Sequence, residues 1–129
     1  MKISDTIVDV KDGLHLLDPI MILCIKGGFG YNTITDEMIH YYLNSDLFID
    51  TAKIPCTDHH NREHHALRIA SIIKLIQNKV YIDAIHIFVI NDEQDEIEIE
   101  DGHHRLRAYA YIKKHIDSEI LMKSYVYYT

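Results

Sequence analysis

Glu96-Ile97-Glu98-Ile99-Glu100-Asp101-Gly102-His103-His104-Arg105-Leu106-Arg107-Ala108 is the stretch whose reading decides the fold. Its first five residues alternate charge and isoleucine, the period of a strand with one wet face. Ile97 and Ile99 are expected in the core and the three glutamates in solvent. Asp101-Gly102 then signals a sharp turn. A helical run follows from Leu106 to about His115, and two histidines and two arginines crowd its start. A helix start offers unpaired backbone N–H groups and the positive end of the helix dipole, which suits an anion. Gly102 has no Cβ, so a ligand could approach the backbone there. Guanidinium groups grip phosphate oxygens two at a time. Strand, glycine corner and basic helix start together predict a phosphate site.

Outward from this stretch, Ile82 to Ile90 predicts a strand that is apolar on both sides and therefore central. Asn91 to Asp95 is its hairpin loop. Ala66, Ile69, Ala70, Ile72, Ile73 and Ile76 give one wide apolar face to a helix from Glu63 to Gln77, with Arg68, Ser71 and Lys74 expected away from it. Asn78-Lys79 closes that helix. Phe48 to Ile54 predicts a strand stopped by Pro55. Thr35-Asp36-Glu37 opens another helix with a cap and two carboxylates, Met38, Ile39, Tyr42 and Leu43 share one face, and Asn44-Ser45 ends it. Residues 3–10 predict a strand, Asp12-Gly13 a turn, and Ile20 to Lys26 a further strand. Gly27-Gly28-Phe29-Gly30 lacks the Lys-Ser/Thr ending of a phosphate loop and reads as a turn. Ile120 to Tyr128 is the last strand. Strands come in runs rather than strict βαβ alternation, so the class is α+β.

The chain has 129 residues, 47% of them hydrophobic, enough for a sizeable core. Its net charge of −7, from 13 basic and 20 acidic residues, argues against general nucleic-acid binding. It permits docking on a basic partner. Cys24 and Cys56 have apolar sequence neighbours and are expected as buried residues in a reducing compartment. No apolar leader segment is read at Met1 to Asp5, and the apolar run Ile20 to Ile25 is too short to span a membrane, so a cytoplasmic protein is expected.

Gly102-x-x-Arg105-x-x-Ala108 after a strand, preceded by Asp101, resembles the signature of the ParB N-terminal/sulfiredoxin superfamily. Ile54-Pro55, the helix of residues 63–77 and the hairpin match that family's order of elements. The resemblance covers about Thr51 to His115. It implies a ParB/sulfiredoxin-like mixed sheet with packed helices and a nucleotide-binding core in 51–129; residues 1–50, which the resemblance does not cover, are expected as an added N-terminal segment packed on that core or as a homodimer surface. It implies ATP, ADP or CTP bound through Gly102, His103, His104, Arg105 and, with less direct geometry, Arg107. Glu100 or Asp101 would hold Mg2+, which takes oxygen ligands.

Sulfiredoxins carry a catalytic cysteine directly after the motif glycine. Here that residue is His103, which argues against sulfinic-acid repair. ParB proteins continue into a helix-turn-helix. Here only a strand pattern follows the helix, so centromere binding is not expected. Asp101-Gly102-His103-His104-Arg105 fits the Asp-Gly-His-x-Arg pattern of the free-serine kinases in this superfamily. The resemblance therefore implies phosphoryl transfer or nucleotide hydrolysis, with Asp58 or Glu63 as general base and His103 beside the phosphates. Some relatives are nucleases, a role the acidic balance disfavours.

Two other readings belong beside this one. His60-Asn61-Arg62-Glu63-His64 fits the H-x-x-E-H pattern of inverted zinc peptidases, with no third ligand to name. A non-enzymatic inhibitor or interaction protein could instead present Asp92, Glu93, Asp95, Glu96, Glu98 and Glu100 to a protein partner.

Overall fold

The computed structural model describes residues 7–11, 14–26, 33–51, 53–56, 61–100 and 102–128. In chain order its elements are β1 (Ile7–Lys11), β2 (Leu14–Leu17), α1 (Pro19–Lys26), α2 (Asp36–Leu43), α3 (Arg62–Gln77), β3 (Ile85–Asn91), β4 (Glu96–Glu100), α4 (His103–His115) and β5 (Met122–Tyr128). The class is α+β. The elements fall into two units: α2 and α3 lie within residues 30–82, and all the others lie within 1–29 and 83–129. This grouping departs from the expected boundary at residue 50. β1 and β2 join the same sheet as β3, β4 and β5. The turn signals Asp12-Gly13 and Gly27 to Gly30 fall outside the described residues.

In the sheet unit the strand order is β1-β2-β5-β3-β4. Among the described strands only β3 and β5 run parallel; every other neighbouring pair is antiparallel. β4 alternates as its sequence predicts: Ile97 and Ile99 are buried, and Glu96, Glu98 and Glu100 are exposed. β3 is central in hydrogen bonding, yet only one of its faces is fully buried. Ile85, Ile87 and Val89 point into the core, whereas His86 and Phe88 are half-buried and Ile90 is exposed. The expectation of two apolar, buried faces is corrected accordingly. The core gathers Leu17, Met122 and the inward residues of β3 and β4 around Ile22 of α1 and Leu106 of α4. Each such side chain removed from water contributes about 1.5–3 kcal/mol.

Ile20 to Lys26 is not a strand but the body of α1. Periodicity cannot decide a short, wholly apolar run; here the start signal decides it. The Asp18 carboxylate accepts from the backbone N–H groups of Ile20 at 2.9 Å and Met21 at 3.4 Å. Pro19 takes the first helical position, where its missing N–H costs nothing. Asp18 also pairs with Lys113 of α4 at 3.4 Å, which fixes the start of one helix to the end of the other.

In the second unit α2 packs on α3. Thr35 caps α2 by accepting from Met38 N at 3.2 Å, and Asn61 caps α3 by accepting from His64 N at 2.9 Å. Both helices match their sequence signals. The polar stripe of α3 does not: Arg68 is 5% exposed and Ser71 0%. Ser71 Oγ accepts from Ile49 N at 2.9 Å, Arg68 Nη2 donates to Ile54 O at 2.8 Å, and Lys74 Nζ donates to the carbonyls of Ser45 and Leu47 at 2.8 and 3.0 Å. Residues 68, 71 and 74 lie one helical turn apart. Together they take the Ile49 N–H and the Ile54 carbonyl of the segment expected as a strand, and two carbonyls just before it. That segment is irregular, with a turn closed by Lys53 N and Ile54 N on Asp50 O.

Candidate functional site

β4 delivers the chain to Gly102, the N-cap residue of α4, which is buried. A Cβ on Gly102 would lie 2.5 Å from Ile85 Cγ2, 2.9 Å from Ile85 Cβ and 3.4 Å from Ile99 Cγ2. Its φ of 179° is extended backbone open to any residue. Glycine is therefore required by the close approach of β3, and the space beside it is filled by an isoleucine of the core. Close packing is thus a sufficient reason for the glycine, apart from any ligand. The helix start itself is as predicted in composition. Among the described residues no side chain caps it, its first turn holds no acidic residue, and Leu106 N closes the first turn on Gly102 O at 2.9 Å.

His103, His104, Arg105 and Arg107 are all half-buried. Arg105 Nη1 donates to Asp83 O at 2.8 Å and lies 3.5 Å from Ala84 O. These carbonyls belong to the segment just before β3, so part of the predicted strand Ile82 to Ile90 spends its acceptors on a side chain. The guanidinium is thereby held beside the glycine corner. Its charge also reaches Tyr109, whose hydroxyl is pushed above its ordinary value of 10.0 by burial, with Arg105 pulling the other way. Arg107 lies two residues on, about 200° around the helix from Arg105.

The remaining predicted residues are distributed as follows. Glu100 is exposed on the sheet face opposite Ile97 and Ile99, next to Glu98 and Glu96. Asp101, Asp58 and His60 lie outside the described residues, and with His60 goes one end of the H-x-x-E-H pattern. Glu63 is exposed in the first turn of α3, 3.6 Å from Arg62 Nε. It belongs to the helical unit, whereas the glycine corner belongs to the sheet unit.

Two features escaped the sequence reading. Both cysteines are exposed, not buried. Cys24 lies on the open side of α1. Cys56 follows the clamped Ile54, and its Sγ is 3.7 Å from His65 Nδ1. The polar run Thr57 to His60 directly after Cys56 was the available signal. The second feature is the outer face of the sheet. His86 stacks on Tyr125 at 5.0 Å and on Tyr127 at 5.8 Å, and Phe88 stacks on Tyr127 at 4.9 Å. His86 Nδ1 is 3.0 Å from the Tyr127 hydroxyl. The alternation of β3 and β5 could have revealed it.

Among the described residues no helix is long and apolar enough to cross a membrane. Comparison with protein-family models, with curated proteins and with solved structures finds no match for this chain.

Proposed function

We propose that this chain binds the phosphates of a nucleotide at the start of α4 and acts there on a phosphoryl group. One observation carries the reading: a 13-residue helix begins at a glycine, with no capping side chain among the described residues and no acid in its first turn, and with His103, His104 and Arg105 there instead. Backbone dipole, imidazoles and a held guanidinium all favour an anion. The likeness of Asp101 to Arg105 to the free-serine kinase pattern, and with it a ParB/sulfiredoxin-like fold and a cytoplasmic location, belongs to the same proposal. Mg2+ would accompany the nucleotide, with Glu100 and Asp101 the carboxylates nearest in sequence. Asp58 and Glu63 are the candidate bases, and His103 is the candidate proton carrier beside the phosphates.

Calorimetry of the full chain with ATP, ADP and CTP in the presence of Mg2+ tests this. Micromolar binding is expected for at least one nucleotide, weakened about tenfold or more in a His103→Ala/His104→Ala variant. Arg105→Lys serves as a second variant that retains charge. No heat with any nucleotide overturns the proposal. Phosphate release that persists in Glu63→Gln would leave Asp58 as the base.

A second reading is favoured by a different observation. β4 is an edge strand whose exposed Glu96, Glu98 and Glu100 flank the stacked rings of Tyr125, His86, Tyr127 and Phe88. A guanidinium can stack on a tyrosine while pairing with a carboxylate. This face would dock an arginine-rich polypeptide. An arginine-rich peptide should bind the native chain and lose affinity for Glu96→Lys/Glu98→Lys; equal binding to both would exclude the face.

A further inference from the structure

The geometry points to a zinc-type metal site whose founding ligands are Cys56 and His65; we infer that the Cys56 thiolate and the His65 Nδ1 bind one ion between them. The two atoms are 3.7 Å apart. A zinc ion takes sulfur at about 2.3 Å and imidazole nitrogen at about 2.0–2.1 Å in near-tetrahedral geometry, which sets two such ligands about 3.6 Å from each other. The observed separation meets that requirement without movement of either residue.

Both ligands are held by the helical unit itself. His65 sits in the first turn and a half of α3, where Asn61 caps the helix through His64 N and accepts from His65 N through its carbonyl at 3.2 Å. Cys56 follows Ile54 by two residues, and the Ile54 carbonyl is gripped by the buried Arg68. A site whose ligands are positioned in advance loses less order on binding. Chemistry narrows the ion. A thiolate with an imidazole selects zinc-like, borderline-soft ions over Mg2+ or Ca2+, which prefer oxygen. Water can take the remaining positions of the tetrahedron. This site differs from the His60/His64 pattern, which has no sulfur.

Binding displaces the thiol proton to solvent as the Cys56–metal bond forms, so affinity should rise with pH. Untagged full-length chain, stripped with chelator and titrated with Co2+ and Zn2+, provides the test. One ion per chain is expected, with a thiolate-to-cobalt charge-transfer band in the near ultraviolet. Cys56→Ser should abolish that band, His65→Ala should weaken binding at least about tenfold, and Cys24→Ser should change neither. Zinc should also protect Cys56, and not Cys24, from alkylation. A thiol merely hydrogen-bonded to the imidazole would give no stoichiometric metal and no protection. That result, or unchanged affinity in Cys56→Ser, overturns the site; because Cys56 and Cys24 are both exposed, circular dichroism of each variant confirms folding.

Discussion

Gly102 carries the most information per atom in this chain. Its hydrogen atom faces Ile85, and no side chain fits there. Gly102→Ala should therefore destabilise the chain by about 1–3 kcal/mol through overpacking, measured as a lower urea midpoint. Unchanged stability would show that β3 can give way. Tyr109, one turn beyond Arg105, makes a different prediction. Burial raises its folded-state value above 10.0, so the folded chain holds this proton more tightly than the unfolded one. Its stabilising share is complete below that ordinary value and is lost as pH rises through the folded value. The urea midpoint of the native chain should fall more steeply above pH 10.0 than that of Tyr109→Phe; parallel curves would contradict the burial. At this scale the sequence announced which residues stand at the corner but not why. A glycine before a helix is equally consistent with ligand approach and with tight packing, and only the position of Ile85 separates them.

Elements were legible where local chemistry and period agreed. β4, α2 and α3 carried both a hydrophobic period and end signals, and they form within a residue or two of expectation. α1 differs from the expected strand because a solid apolar run has no period, and the helix-start signal lies outside that run, in Asp18-Pro19. The failure over Phe48 to Ile54 has another cause. Ser71 takes its Ile49 N–H and Lys74 holds the Ser45 carbonyl just before it, partnerships between residues more than twenty positions apart that no local window contains. The same partnership makes a test. Ser71→Ala leaves the buried Ile49 N–H without its acceptor, which costs about 1–3 kcal/mol. Hydrogen exchange at Ile49 should accelerate well beyond that of β3 amides. Slow exchange in the variant would show that the segment is held by something else.

For the molecule as a whole, an acidic chain places His103, His104, Arg105 and Arg107 in the first turn and a half of α4 in the sheet unit, and the exposed Cys56 beside His65 in the helical unit. The alternation of residues 96–100 did foretell the glutamate face of β4. It could not foretell the aromatic rings beside it, since pairing of β3 with β5 is a matter of topology. The α+β class was readable from the succession of elements; the joining of β1 and β2 to the same sheet was not, because strand order depends on contacts distant in sequence. The claim on which the functional reading rests is that an anion seats at the start of α4. Amide-resolved 1H–15N spectra of the full chain, titrated with ADP and Mg2+, examine it most directly. Saturable shifts at Gly102, His103, His104 and Arg105, with smaller ones at Asp83 and Ala84, are predicted. Spectra in which these amides stay still while nucleotide is in excess, or in which shifts gather elsewhere, would contradict it.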